Sequence, residues 1–583
     1  MWPFSSNTHR EVVDTKRAQR DEALSSAPSY HADAPTYDVY LRATASEIVT
    51  RIESGEWTSS QVVAAYCARA AYAQATTNCV TEVLFEQALR EAALLDKEYA
   101  ATGKLRGPLH GVPVSFKDQF NLAGFDSTIG FTQWANKPSL RDCTLAEKFR
   151  AAGAIIIVKT NVPQTMLAFE CSNPLWGRTL NPHNDAYTCG GSSGGEAALL
   201  AMDGSVIGIG SDVGGSLRIP TTYCGIYALK PTAGRMTSAG TASPNPGFDA
   251  IRSAMGPMSR SVADLELASR FSFGTQDPIH DTPPVPYRDV ELPPKLRFGY
   301  YTSDGYIKAS PACKRAVLET VEALRSQGHE CIEFEPPRVE QAFEAFVALT
   351  SADGYKRLTS HLGPDPQASA YCFACESSLF LVTLGPRLPG FLRSMASWVI
   401  RSLLGDSLFA GVLGASRVKP VAEFVEWCSR RDDYKKLWYK EVWGEHNFDG
   451  IIAPVQAVPC IPHGGCATMS PLAIATILYN MVDSPVGVVP VTHVDPTKDQ
   501  LTDEWVHGPG LGSKLLEGRV YKGKDAIYNP EKMKGLPVAV QIVGRRWDDE
   551  KVIGMMHVVD AALGPRGFGP HSWKQQVKST PGV

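Results

Sequence analysis

The sequence predicts an α/β fold built on a mixed or parallel sheet. Three runs carry that expectation: 155–158, 205–210 and 536–543, each short, apolar and without alternation. A strand that does not alternate is buried on both faces, as happens when helices cover a sheet on both sides. Helical stretches lie between these runs and supply the covering layers.

Taken in order, 9–25 reads as a surface helix in an N-terminal arm, 1–44. Residues 45–54, 58–76 and 84–98 are a run of helices. Thr58 serves as an N-cap, with Gln61 three residues on, the form of a capping box. Val62, Val63, Tyr66 and Cys67 then fall at helical spacing. The pattern changes at 108: residues 108–116 are short, β-prone and apolar, punctuated by Gly111 and Pro113. A helix over 144–151 leads into the 155–158 strand. Strands at 296–300 and 331–334 flank a helix at 311–327, which suggests a βαβ unit. A charged amphipathic helix covers 420–443, late strands lie at 448–454 and 536–544, and 548–563 is a closing helix. The last stretch, 564–583, reads as a loose tail rich in Gly, Pro and Lys.

The chain has 583 residues, 44% apolar and 20% charged, enough for a large core and too apolar for wholesale disorder. Lys and Arg number 57 against 61 Asp and Glu, a net charge of -4, so no excess of cations is available for a nucleic-acid partner. The 13 cysteines are odd in number and scattered, as reduced core cysteines are. Cys372 and Cys375 form a single C-x-x-C with no second pair, and His463 with Cys466 is an equally weak metal signal. No metal and no cofactor are expected. The opening Met1, Trp2, Pro3 and Phe4 offer neither a basic nor an apolar leader region, and no window holds 18 consecutive apolar residues. The expectation is an intracellular protein, cytoplasmic or peripherally attached to an internal membrane, and not secreted.

The chemistry concentrates in a glycine–serine cluster at 189–196, followed by a second at 208–217. Small residues at this density let backbone N–H groups converge on one point, as phosphate cradles and oxyanion holes require. No Gly-Lys-Ser/Thr follows, so the phosphate-loop pattern fails. An oxyanion hole needs a nucleophile and a base. Ser192, Ser193, Ser211 and Ser216 are candidate nucleophiles, and no Gly-x-Ser-x-Gly elbow implies a histidine partner. Lys117 ends the apolar stretch Val114, Ser115, Phe116. Partly desolvated there, it could be a neutral base; its plainer reading is a solvated strand cap.

These segments resemble the amidase signature family. The signature stands as GGSSGGEAALLAMDGSVIGIGSDVGGSLRIP at 190–220, with GPLHGVPVSFKD at 107–118, GPMSRSVADL at 256–265 and GLPVAVQIVG at 535–544. The resemblance spans about 45–563 and implies a single large α/β/α domain with a central mixed, twisted sheet covered by helices. It also implies a Ser-Ser-Lys triad, with Lys117 as base, Ser192 as bridging serine in a cis peptide, and Ser216 as nucleophile. The N–H groups of Val213, Gly214, Gly215 and Ser216 match the family's oxyanion hole. Ser193, Asp212 and Arg218 match supporting positions, where Asp212 and Arg218 also read simply as a loop-bracing ion pair. The family further implies a homodimer. An intact triad and glycine loop argue against a degenerate member acting only as a scaffold.

The implied reaction is hydrolysis of the C–N bond of carboxylic amides. Residues 166–174 resemble the acyl-pocket segment of fatty acid amide hydrolases, which would put Met166 beside the catalytic centre rather than simply in the core. The stretch 379–414 is strongly apolar, interrupted by Arg387, Arg393, Arg401 and Asp406. It cannot cross a bilayer as one apolar helix but can lie on one, with Leu388, Phe391, Leu392, Met395, Trp398 and Val399 on one side and the arginines toward the headgroups. It resembles the membrane-binding cap of those enzymes, with Phe391, Leu392 and Trp398 as lipid contacts. Two buried helices or a dimer contact are the alternatives. The motif at 478–492 has the same resemblance. Fatty acid amides or N-acylethanolamines are therefore the expected substrates, a lipophilic small-molecule partner. Much of the remaining chain looks like fungal acetamidases, which makes a short aliphatic or aryl amide the rival.

Overall fold

The computed structural model describes residues 5–28, 35–277, 282–362, 377–508 and 510–572. Thirteen strands appear among them: β1 (Val80–Val83), β2 (Pro113–Lys117), β3 (Ile155–Thr160), β4 (Ser172–Asn173), β5 (Gly177–Arg178), β6 (Ile207–Asp212), β7 (Tyr227–Lys230), β8 (Ala254–Ser259), β9 (Arg297–Tyr300), β10 (Glu330–Glu333), β11 (Gly450–Pro454), β12 (Val486–His493) and β13 (Pro537–Val543). Eleven make one sheet in the order β1-β3-β2-β6-β8-β7-β12-β13-β11-β9-β10; β4 and β5 pair separately. The sheet is mixed. Strands β3, β2 and β6 run parallel near one edge, and β11, β9 and β10 run parallel at the other. Antiparallel pairs join the two blocks through β8, β7, β12 and β13.

The uninterrupted apolar runs are where the sequence puts them. Every residue of β3, β6 and β13 is buried, as covering on both faces requires. The βαβ unit also forms: β9, the helix Pro311–Ser326 and β10 follow one another, and the two strands pair in parallel. The capping box at Thr58 is present, its side chain accepting from Gln61 N while the Gln61 side chain accepts from Thr58 N at 2.9 Å. The charged helix Val421–Trp438 continues into a wider π turn at Tyr439–Gly444.

The N-terminal helix, Ser5–Ser25, is docked on the domain. Lys16 is buried between Glu82 and Asp126, at 2.7 and 2.9 Å. Arg17 donates to the Leu175 carbonyl, and Lys16 and Arg20 lie over the Trp176 ring. At the other end, residues 564–572 pack rather than trail: Phe568 stacks on His493 and Arg566 donates to the Pro490 carbonyl. Cys372 and Cys375 lie outside the described residues. His463 hydrogen-bonds the Asp185 carbonyl and lies 3.8 Å from Glu170, while Cys466 is buried, so this pair reads as packing.

Residues 379–414 form three helices, Phe380–Arg387, Gly390–Ser402 and Ser407–Ala415. Asp406 caps the third by accepting from Phe409 N, and its other oxygen accepts from Ser513 and Leu515, which ties the turn to the domain. The two-buried-helices alternative fails for Gly390–Ser402, which has no buried residue. Phe391 is 72% exposed and Trp398 60%, and Met395 is also exposed. Leu392, the third lipid contact expected, is half-buried and less open than these three. Positions 391, 395 and 398 are spaced i, i+4 and i+7, whereas 392 turns about 100° away from 391. Among the described residues, no helix is long and apolar enough to cross a membrane.

Candidate active site

The site is built where β2 and β6, paired in parallel, end side by side. Side chains alternate along β2, so Ser115 and Lys117 share one face while Phe116 packs on Phe120 and Phe149 on the other. The Lys117 ammonium is fully buried and reaches Ser192 Oγ at 2.6 Å and Ser211 Oγ at 2.9 Å. Ser211 in turn donates to Gln119 Oε1 at 2.5 Å. Below it, Glu196 accepts from Ser115 and from Thr160 Oγ1. Burial dominates both charges. It drives the Lys117 pKa down to about 7, against the opposing field of Asp212, and raises that of Glu196 to about 7. Lys117 is therefore no solvated cap.

The two glycine–serine clusters meet at this lysine. The first leads into the buried helix Gly194–Ala201 and includes a cis bond at Gly191–Ser192. Gly208 of β6 must be glycine because a Cβ there would overlap the Glu196 carboxylate. The second cluster turns at Gly215, whose φ of +123° lies in the left-handed region and whose Cβ would strike Thr476. Ser193 N donates to Ser216 O at 3.1 Å, which stitches one loop to the other.

Asp212 and Arg218 hold the second loop in shape. The guanidinium is bidentate on the carboxylate at 2.9 and 3.0 Å, and both side chains are fully buried. The same carboxylate accepts from Gly215 N and Leu217 N. Burial alone would raise the Asp212 pKa; the facing Arg218 charge outweighs it and holds the group well below the carboxylate range. Sequence reading missed the outer ring: Asn480 bonds both partners, Thr476 Oγ1 donates to Gly214 O, and Gln541 accepts from Arg218. Asn480 falls inside the 478–492 motif, which was its available signal. Asp212→Asn is expected to cost about 3–5 kcal/mol, because it strands Arg218 as an unpaired buried charge. Denaturant unfolding of wild type and variant checks this.

Two cavities meet at Ser216, which is itself half-exposed. One, of about 120 Å³, is apolar: Met166, Phe169, Val213, Phe346 and Ile477 lead to Leu381, Val382, Phe409 and Val412 of the 379–414 helices. Met166 is partly buried against the core and lines the same cavity as Ser216. The other, of about 290 Å³, takes in Ser192, Ser211 and Ser216 and is walled more by polar groups, among them Ser238, Thr241, Asn245 and Asp353.

Residues 61–553 match the Amidase family. The chain is 34% identical over 526 residues to fatty-acid amide hydrolase 1 of Sus scrofa, covering 89% of this chain and 85% of that protein. It is 32% identical over 539 residues to the acetamidase of Emericella nidulans, covering 90% and 89%. A solved structure of fatty acid amide hydrolase superposes with a TM-score of 0.79 at 27% identity, over 96% of this chain and 90% of that one. With the two glycine–serine clusters gathered at one buried lysine and the family matched over most of the chain, the chain belongs to the amidase signature family of amide hydrolases.

Proposed function

We propose that the protein hydrolyses fatty acid amides or N-acylethanolamines through an acyl-enzyme on Ser216. The observation that carries the chemistry is the buried Lys117 ammonium 2.6 Å from Ser192, with Ser192 and Ser216 on the wall of one cavity. Neutral Lys117 accepts the Ser192 proton as Ser192 accepts that of Ser216. Ser216 Oγ then attacks the amide carbonyl carbon. Negative charge developing on the carbonyl oxygen is met by the N–H groups of Val213, Gly214, Gly215 and Ser216, of which Gly215's is shared with Asp212. As the C–N bond breaks, Ser192 delivers a proton to the departing amine and is reprotonated by Lys117. Water, activated by the same relay, hydrolyses the ester and frees the acid. Ser193, Asp212 and Arg218 hold the two loops in register.

The apolar cavity supports a long acyl chain, and the polar one offers the amine a way out. The exposed face of Phe391, Met395 and Trp398 supports docking of the cap on a lipid surface, with the apolar cavity reaching its inner side. Each buried CH₂ is worth about 0.8 kcal/mol, and even a quarter of that over sixteen carbons, about 3 kcal/mol, gives roughly a 200-fold preference in kcat/KM for oleamide over acetamide. Replacing Phe391, Met395 and Trp398 with serine is expected to weaken liposome binding at least about tenfold. Oleamide turnover on liposomes should fall with it, while soluble hexanamide turnover stays unchanged. Co-sedimentation and a chain-length series on both proteins test this. A wild type that ignores liposomes and prefers acetamide is instead a short-chain amidase, with the 379–414 helices as a dimer face. We assign the enzyme a homodimeric state on the same family basis, to be read by analytical ultracentrifugation.

A further inference from the structure

Arg393, Ser397 and Arg401 recur every fourth residue on the helix Gly390–Ser402, so they form one stripe. That stripe lies roughly a third of a turn round the helix from Phe391, Met395 and Trp398. It forms one wall of a separate open pocket of about 290 Å³, which Arg417 closes from the loop after Ser407–Ala415. Ser394 and Trp398 complete the wall. Three arginines thus line one space beside an exposed apolar stripe.

The local charges are not balanced. Arg417 is paired with Glu423 at 2.6 Å. Arg393 uses one guanidinium nitrogen on the carbonyls of Gly385 and Leu388. Arg401 feels Glu344 electrostatically but makes no ion pair or hydrogen bond among the described residues. Lys419 adds a fourth cation behind Arg417, donating to the carbonyls of Ala415 and Arg417. Burial, then repulsion from Arg417 and Arg393, lowers its pKa to about 8. Arg393 is likewise lowered, by burial and then by Arg417. Like charges held this close want an anion between them.

We propose that this pocket binds the phosphomonoester headgroup of an anionic membrane lipid. A monoester phosphate carries more than one negative charge and three terminal oxygens, which suits several guanidiniums better than a single carboxylate or a diester does. When the stripe of Phe391, Met395 and Trp398 lies in the acyl region, the arginine stripe faces sideways at headgroup depth. A second anion-binding feature, separate from the catalytic cavities, would thereby select the membrane on which the enzyme sits. The proposal rests on the lipid-facing reading of the cap.

The test is co-sedimentation of the full chain with three vesicles: phosphatidylcholine alone, and phosphatidylcholine with either phosphatidylserine or phosphatidate, the last two matched in surface potential. Wild type should bind the phosphatidate vesicles at least about fivefold more tightly than the matched phosphatidylserine vesicles. Arg401→Gln should lose about fivefold on phosphatidylserine, the general worth of one surface cation, and clearly more on phosphatidate. Arg401→Lys should recover the first loss but not the second, because the ammonium lacks the guanidinium fork. Hexanamide turnover in solution should be the same in all three proteins. Equal binding to both anionic vesicles, or an Arg401→Gln loss identical on both, overturns the pocket while leaving the cap reading intact. Failure to bind any vesicle overturns both. Glycerol phosphate free in solution is the remaining arm: calorimetric binding as tight as that of phosphatidate vesicles would assign the pocket to a soluble phosphate and overturn the lipid.

Discussion

Ser216→Ala is expected to abolish acyl-enzyme formation and to lower kcat/KM by about 10⁴- to 10⁶-fold, the range seen when a serine nucleophile is removed. The effect is large because nothing else in the site can take its place. Ser192 is occupied by Lys117, Ser211 is held between Lys117 and Gln119, and Ser193 lies fully buried against the Ser211 backbone. Ser216 alone of the four is half-exposed, at the junction of the apolar and polar cavities. A fluorophosphonate should add once to wild type, at Ser216, and not at all to the variant, with the melting temperature little changed. Adduct mapping to Ser192, Ser193 or Ser211 would place the nucleophile elsewhere.

Lys117→Ala should remove a factor of about 10²–10⁴, the worth of a positioned proton transfer, while leaving the protein folded. The sharper signature is in pH. Lys117 must be neutral to act, and burial brings its pKa to about 7, so protonation below that value switches the base off. Wild-type kcat/KM should rise with pH, with unit slope below about 7 and a plateau above. At pH 5 it should be about a hundredfold below the plateau. Glu196 titrates in the same window, raised by its own burial, and is bonded to Ser115 and Thr160. Glu196→Gln keeps those contacts and should keep the inflection; Lys117→Ala should lose it. A wild-type profile flat to pH 5, with chemistry limiting the rate, rules out a lysine base.

What the sequence revealed depended on how local the cause was. Strands β3 and β13 were legible because burial on both faces leaves an unbroken apolar run. Strands β7, β8 and β12 sit in the middle of the sheet yet were not recognised. β8 contains Gly256 and Pro257, and β12 contains Gly487 and Pro490 with a register shift at Pro490, residues that ordinarily argue against a central strand. Their place comes from partners far along the chain, which no local pattern records. The same division runs through the site. The glycine loops and Lys117 were visible as motifs, because close backbone approach admits few residue types. Gln119, Glu196, Thr476 and Gln541 escaped because each acts through contacts across a long separation, and an isolated polar residue in a buried segment carries no mark of its partners. The apolar–arginine alternation of 379–414 was equally plain, but how open each residue lies was not, as Leu392 shows.

The long reach of Arg218 sets a timetable for the molecule's own manufacture. The loop bearing Ser216 is fastened by Asn480 and Gln541, the latter 323 residues downstream of Arg218. A ribosome adding about 5–20 residues per second needs roughly 16–65 s to cover that interval. Until it ends, the Asp212–Arg218 pair lacks the last member of its buried ring. Through that interval a nascent chain carries Ser216 without the full clamp that shapes its loop. The clamp is expected to close only once β13 has been made and takes its place in the sheet.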